Sequence, residues 1–151
     1  FPDSDDLRKI ASSSKNSGME GSDFSYEDMT SGGEMSTSWE AQSVSDGEYE
    51  SKACYVLVTS PKKASSYSKV LNWIDKETFV MHQAEYYDKK EKHIKTLTMS
   101  GWKQEGGTWT PSEMVMENLK RSTKTSIEML ESEFGVDVDE KKFTTAFLTT
   151  F

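Results

Sequence analysis

The stretch that decides the fold runs Tyr67-Ser68-Lys69-Val70-Leu71-Asn72-Trp73-Ile74-Asp75-Lys76-Glu77-Thr78-Phe79-Val80-Met81-His82-Gln83-Ala84-Glu85-Tyr86-Tyr87-Asp88-Lys89-Lys90-Glu91. It reads as strand, polar turn, strand, polar turn. β-Branched and aromatic residues recur with a period of two. Asp75-Lys76-Glu77-Thr78 and Asp88-Lys89-Lys90-Glu91 interrupt them. Turns this short make the joined strands antiparallel, because a parallel pair needs a crossover of about a dozen residues or more.

Outward from this centre the same pattern continues. Toward the N-terminus, 51–60 is a strong strand ended by Pro61, which cannot donate to a ladder, and 38–44 is a weaker one. The central stretch itself contributes 68–74 and 79–87. Toward the C-terminus follow 93–104, 108–119 and 123–134. Gly106-Gly107 between strand residues signals a hairpin, since positive φ costs glycine little. Pro111 marks an edge or bulge. Residues 137–143 fit one helical turn with carboxylates at its positive end. The fold class is mainly β, an antiparallel meander. Such a meander closes as a barrel, stacks as a sandwich or stays an open half-barrel. With only 34% hydrophobic residues, below the roughly 45–50% usual in globular chains, one apolar concave face and one wet convex face is the expected outcome.

The charge is uneven. Residues 1–50 hold twelve acids and three bases, a net of −9; residues 51–151 hold fourteen acids and fifteen bases, a net of +1. The two parts attract. Residues 11–38 are rich in Ser, Gly and Thr and read as loop. Leu7, Ile10, Met19, Phe24, Tyr26, Met29, Met35 and Trp39 are the apolar points that could hold this part onto a sheet. Ser25-Tyr26-Glu27-Asp28 fits a capping box, which predicts a short helix near 23–30. The expected organisation is a single domain over 1–151, with a lid or loop segment at 1–35, the sheet at 36–134 and a C-terminal turn and tail at 135–151.

Several chemistries find no support. The net charge of −8 argues against nucleic acid, which needs clustered bases. The longest uncharged apolar run, 53–58, is far short of the ~20 residues of a membrane helix. Cys54 stands alone, which excludes an internal disulfide and a Cys-based zinc site. There is no P-loop, no G-x-G-x-x-G and no G-x-S-x-G elbow. His82 and His93 fall on neighbouring predicted strands, nearly opposite each other across a hairpin centred near residue 88. Glu85 and Glu91 are their only nearby carboxylates, too few for a metal site. The expectation is a non-enzyme with no metal and no cofactor.

What remains is a binding surface. On the period-two rule Leu57, Trp73, Met81, Met99, Met116, Ile127 and Met129 form the apolar face, with Phe24, Tyr26 and Met29 as lid residues. A bulge on any strand would invert that choice of face. Methionine is unbranched and deformable, which suits variable apolar ligands as well as ordinary cores. Lys62 and Lys63 fall in one loop, and Lys89, Lys90, Lys92 and Lys95 around another. If both loops lie at one end of the sheet they make a basic rim able to meet phosphate head groups; otherwise they are solvated turns.

At this point the sequence resembles a family. The segment Tyr67 to Thr78 looks like its strand-turn signature. Glu85-Tyr86-Tyr87-Asp88-Lys89-Lys90 and Lys95-Thr96-Leu97 follow at its spacing. Gly107-Thr108-Trp109-Thr110-Pro111, Met116-Glu117-Asn118-Leu119 and Phe143-Thr144-Thr145 fit as well. Upstream, Gly21-Ser22-Asp23-Phe24-Ser25-Tyr26-Glu27-Asp28-Met29 matches its G-S-D-F-S-Y-E-D-L motif. The sequence is similar to the outer-membrane lipoprotein-sorting proteins, a LolA-like group.

The resemblance implies an open antiparallel half-barrel whose concave apolar side is covered by helices and loops. It implies a periplasmic carrier in a Gram-negative-type envelope, shielding a lipid or lipoprotein acyl chain in transit between membranes. An envelope transporter is then a partner, and a membrane anchor on the full-length parent is allowed. Members carry a further N-terminal half before the G-S-D-F-S-Y-E-D segment, so this chain reads as a C-terminal portion, as its opening Phe1-Pro2-Asp3 without an initiator Met suggests. A half-barrel without those strands has an open edge and is expected to self-associate. The alternative function is a non-catalytic sheet module of the envelope that binds another protein.

Overall fold

The computed structural model describes residues 10–11, 14–31, 35–144 and 146–147. Leu7, Thr145 and the side chain of Met35 lie outside what it describes. In chain order a 3-10 turn (Met19–Gly21) and two short helices, α1 (Tyr26–Ser31) and α2 (Met35–Ser38), precede the strands. Then come β1 (Trp39–Tyr49), β2 (Lys52–Pro61), β3 (Tyr67–Asp75), β4 (Met81–Asp88), β5 (His93–Ser100), β6 (Lys103–Glu105), β7 (Thr108–Thr110), β8 (Glu113–Asn118) and β9 (Thr123–Glu128). A 3-10 turn at Glu140–Phe143 follows, and Asp139 caps it by accepting from the Lys141 N–H at 3.0 Å.

Seven strands form one antiparallel sheet in the order β1-β2-β3-β4-β5-β8-β9. Its two edges, β1 and β9, pair with nothing further among the described residues, so the sheet is open. The meander expected from the short turns is therefore present, with three corrections. First, β6 and β7 pair only with each other, as a ribbon inserted between β5 and β8. The long strands expected at 93–104 and 108–119 are each cut in two. At Gly101 φ is +63°, and a Cβ there would meet the Ser112 side chain, so glycine turns the chain out of the sheet. Pro111 sits at the return. The hairpin at Gly106-Gly107 is as expected, with φ of +57° and +82°.

Second, β9 stops at Glu128, and 129–134 is irregular. Third, the β4–β5 hairpin turns later than its residue types suggest. Gln83 faces Thr98 and Tyr87 faces His93, so His82 and His93 sit at opposite ends of that hairpin rather than opposite each other. His82 lies at a bulge and bonds Asp75 at 3.0 Å; His93 stacks on Tyr87.

The core lies on one face of the sheet. Phe24, from the segment before α1, closes over Val70, Ala84, Leu97 and Met116, one each from β3, β4, β5 and β8. Of the apolar points expected to hold the N-terminal segment onto the sheet, Phe24 is buried against it, Met19, Tyr26 and Trp39 are half-buried, and Ile10 and Met29 are exposed. Cys54 is fully buried on the other face, opposite Asp75. Burial, and then the Asp75 charge, push its thiol up, away from reactivity.

Candidate functional site

Residues directly opposite in neighbouring strands share a face. The register therefore defines rows running across the sheet. The middle row is Leu57, Asn72, Ala84, Leu97, Met116 and Thr125, from β2 to β9. Toward the ends of β2 and β4 lies a polar row: Thr59, Val70, Tyr86, Lys95, Asn118 and Thr123. On the other side lies an apolar row in two parts, Tyr55–Ile74–Met81 and Met99–Met114–Ile127.

The lid is fastened by Phe24 on the middle row and by polar bonds at and beside the polar row. In its sequence G-S-D-F-S-Y-E-D the residues Asp23, Phe24, Ser25, Glu27 and Asp28 make the ties. Ser25 and Asp28 form the reciprocal capping box of α1: the Asp28 N–H donates to Ser25 Oγ at 3.2 Å, and the Ser25 N–H donates to Asp28 Oδ2 at 2.7 Å. The same Asp28 carboxylate accepts from Tyr67 Oη at 2.6 Å and from Lys95 Nζ at 2.9 Å. Its side chain is 3% exposed and that of Lys95 12%, so this is a buried ion pair. Burial, then the facing Asp28 carboxylate, push the Tyr67 phenol far up, and it stays a donor.

Asp23, 4% exposed, makes the second fastening. It accepts from Thr123 at 2.8 Å, Thr125 at 3.1 Å and the Arg121 guanidinium. Its own N–H donates to Thr125 Oγ1 at 2.9 Å. Burial works against its charge, but the bonds from Arg121, Thr123 and Thr125 outweigh burial and hold the carboxyl below the usual carboxylate range. Between the two carboxylates sits Phe24. Glu27 adds a tie to the β2–β3 loop through the Ser66 N–H and hydroxyl.

The row beyond Phe24 is a different surface. Tyr55, Ile74, Met81, Met99, Met114 and Ile127 are all half-buried. From β2 to β9 this row spans five strand spacings, about 24 Å. An acyl chain of one bilayer leaflet covers about half of a ~30 Å hydrocarbon core, so the row is long enough to hold one. Three methionines let it adapt.

A family model described as "Uncharacterized protein" matches residues 1–150. The chain belongs to that family. Two solved structures share its fold at 28% identity: an outer membrane lipoprotein-sorting protein domain from Vibrio parahaemolyticus, with a TM-score of 0.84 over 93% of this chain and 60% of that one, and a DUF1329 family protein from Desulfovibrio piger, with 0.85 over 93% and 59%. A LolA superfamily protein from Nitrosomonas europaea matches at 20% identity and a TM-score of 0.67, over 89% of this chain and 60% of that one, a likeness of fold. No curated protein matches in sequence. The chain spans about three fifths of the length of each of these structures. The LolA-like resemblance read from the sequence and the open antiparallel sheet are both borne out.

In this LolA-like chain the residues expected to line the apolar face divide. Leu57, Met81, Met99, Met116 and Ile127 share the lid face. Trp73 does not: it pairs with Val56 and Gln83, and its indole lies near Gly47 on the opposite face. β3 is apolar on both faces, and the polar Asn72 marks the lid face, so alternation alone misassigned Trp73. Met129 lies beyond β9, 40% exposed, beside a cavity of about 420 Å³ also lined by Lys103, Pro111 and Leu130. Of the expected lid residues, Phe24 is buried, Tyr26 is half-buried and Met29 is 47% exposed, pointing away from the core. Met114, Ile74 and Leu97 were missed, although cross-strand pairing of Met99 with Met114 would have found one of them. Lys62, Lys63, Lys89, Lys90 and Lys92 do lie at one end of the sheet, in loops that leave from the same side. Lys95 instead points under the lid.

Proposed function

We propose that this chain is a non-catalytic carrier domain that holds a lipid or lipoprotein acyl chain against the lid face of its sheet, in the periplasm. The observation that carries the reading is the half-buried row Tyr55–Ile74–Met81 and Met99–Met114–Ile127 lying next to a lid fastened by polar bonds. Covering such a row gains about 0.8 kcal/mol per CH₂ buried, and no catalytic group is required. Among the described residues no helix is long and apolar enough to cross a membrane. Kinship of fold with a lipoprotein-sorting domain supports the same conclusion.

A second reading has one observation in its favour. Directly under Phe24 the core is filled, with Ala84 and Met116 fully buried, which suits a sheet module that binds another envelope protein. The carrier reading meets this by placing the acyl chain on the open row beside Phe24 rather than beneath it. Native mass spectrometry of the protein isolated from a bacterial envelope decides between them. A bound species with the mass of a lipid or lipidated peptide is expected. Bare protein, or a complex with an unlipidated protein, would favour the module.

A further inference from the structure

We propose that the lid end of the sheet is a docking surface for an anionic lipid bilayer. The β2–β3 loop (62–66), the β4–β5 turn (89–92) and the β8–β9 turn (119–122) all leave from this end. They carry Lys62, Lys63, Lys89, Lys90, Lys92, Lys120 and Arg121 against one acid, Glu91, in a chain whose formal charge is −8. All seven cations are exposed; Glu91 is tied back to Lys69, Lys120 pairs with Asp88 at the end of β4 at 3.0 Å and Arg121 pairs with Asp23, so even with these acids counted the cations at this end outnumber the acids. At the other end, the β1–β2 turn, the β3–β4 turn and the segment after β9 hold Glu50, Glu77, Glu131 and Glu133 against Lys76. Charge is therefore separated along the strand direction, against the trend of the whole chain.

Apolar side chains stand among the cations. Leu119 is 42% exposed and immediately precedes Lys120-Arg121, with its N–H fixed to the Ile94 carbonyl at 2.9 Å. Met29, 47% exposed, sits on α1, which Glu27 ties to Ser66 in the basic β2–β3 loop. A soluble acidic partner asks only for charge. Cations ringed around protruding apolar groups suit a surface with anionic head groups above acyl chains. Attraction to such a surface fades within a Debye length of about 8–10 Å, and loops gathered at one end can all come within it together. Docking in this pose sets the lid toward the bilayer, where an acyl chain enters or leaves.

Sedimentation with vesicles tests this, using the full chain. Binding is expected to phosphatidylcholine vesicles containing phosphatidylglycerol, to be absent with phosphatidylcholine alone, and to be lost at high salt. The triple variant Lys63→Gln, Lys90→Gln, Lys92→Gln touches neither lid fastening. It should bind on the order of 100-fold more weakly with an unchanged circular dichroism spectrum. Leu119→Ser keeps every charge and should also weaken binding. Equal binding to both vesicle types, or a triple variant that binds as well as the parent, would overturn the proposal. So would an unaffected Leu119→Ser, which would point to a soluble anionic partner. Docking does not depend on carriage: vesicle binding without any transfer of lipid between vesicles would sink the carrier reading and leave the docking surface standing.

Discussion

Two carboxylates tie the segment before and within α1 to the sheet. Asp28 satisfies Tyr67, Lys95 and the start of α1 at once. Asp28→Ala leaves the Lys95 ammonium buried without its acceptor, at a cost of about 3–5 kcal/mol. In a chain of this size that is a fall of roughly 10 °C in Tm. Differential scanning calorimetry checks it, and an unchanged Tm would mean Lys95 finds water instead. Asp23 gives a pH signature. Its carboxyl is held below the usual range by Arg121, Thr123 and Thr125 against the pull of burial, and that of Asp75 is held far down by the Thr78 N–H and then His82. Carboxyls depressed in the folded state stabilise it at every pH above their unfolded value of about 3.9, and that stability is lost as pH falls through the folded values. Tm should therefore be flat from pH 7 to about 5 and fall steeply below about 4. Asp23→Asn should lower Tm at pH 7 and flatten the acid limb. A Tm that rises on acidification, or an equally steep limb in the variant, would contradict the assignment.

At the scale of elements, the lid and the sheet are held by different forces and should open separately. The lid, 19–31, has one buried apolar anchor, Phe24, and a set of polar ties. Strands β3, β4 and β5 are central, paired on both sides. Amide exchange over 19–31 should be faster than over β3–β5, and Phe24→Ala should speed the lid at least tenfold while leaving those strands unchanged. Equal acceleration in lid and sheet would mean the two unfold as one unit. The strands were legible because period-two runs with short turns admit little else. The capping box was legible because its two partners are three residues apart. The polar ties were not: Asp23 meets Thr125 and Asp28 meets Lys95 across 102 and 67 residues, and nothing local marks such a pair. Faces were legible only on strands with one polar side. On β3, apolar on both, Trp73 fell on the wrong one. The split of β5 from β6 was hidden because Gly101 needs a positive φ that the flanking residues do not advertise.

For the whole molecule, the edge strands β1 and β9 of the open sheet pair with no further strand among the described residues. β1 is exposed along most of both faces, and its acids Glu40, Asp46 and Glu48 are matched by no base of its own. Unpaired edges of this length invite strand addition. Sedimentation at micromolar concentration should find assemblies larger than the 17.1 kDa chain, growing with concentration. A single species of that mass at all concentrations would mean that the chain closes its own edges. The central claim, that the lid face holds an acyl chain, is open to a more direct measurement. A fatty acid bearing a diazirine on its chain, bound and photolysed, marks whatever residues line its site, and peptide mapping reads them out. Labels on Met81, Met99, Met114 and Ile127, lost when an unlabelled fatty acid competes, are the predicted result. Labels on Val58, Leu71 and Trp73 of the opposite face, or none that competition removes, would contradict it.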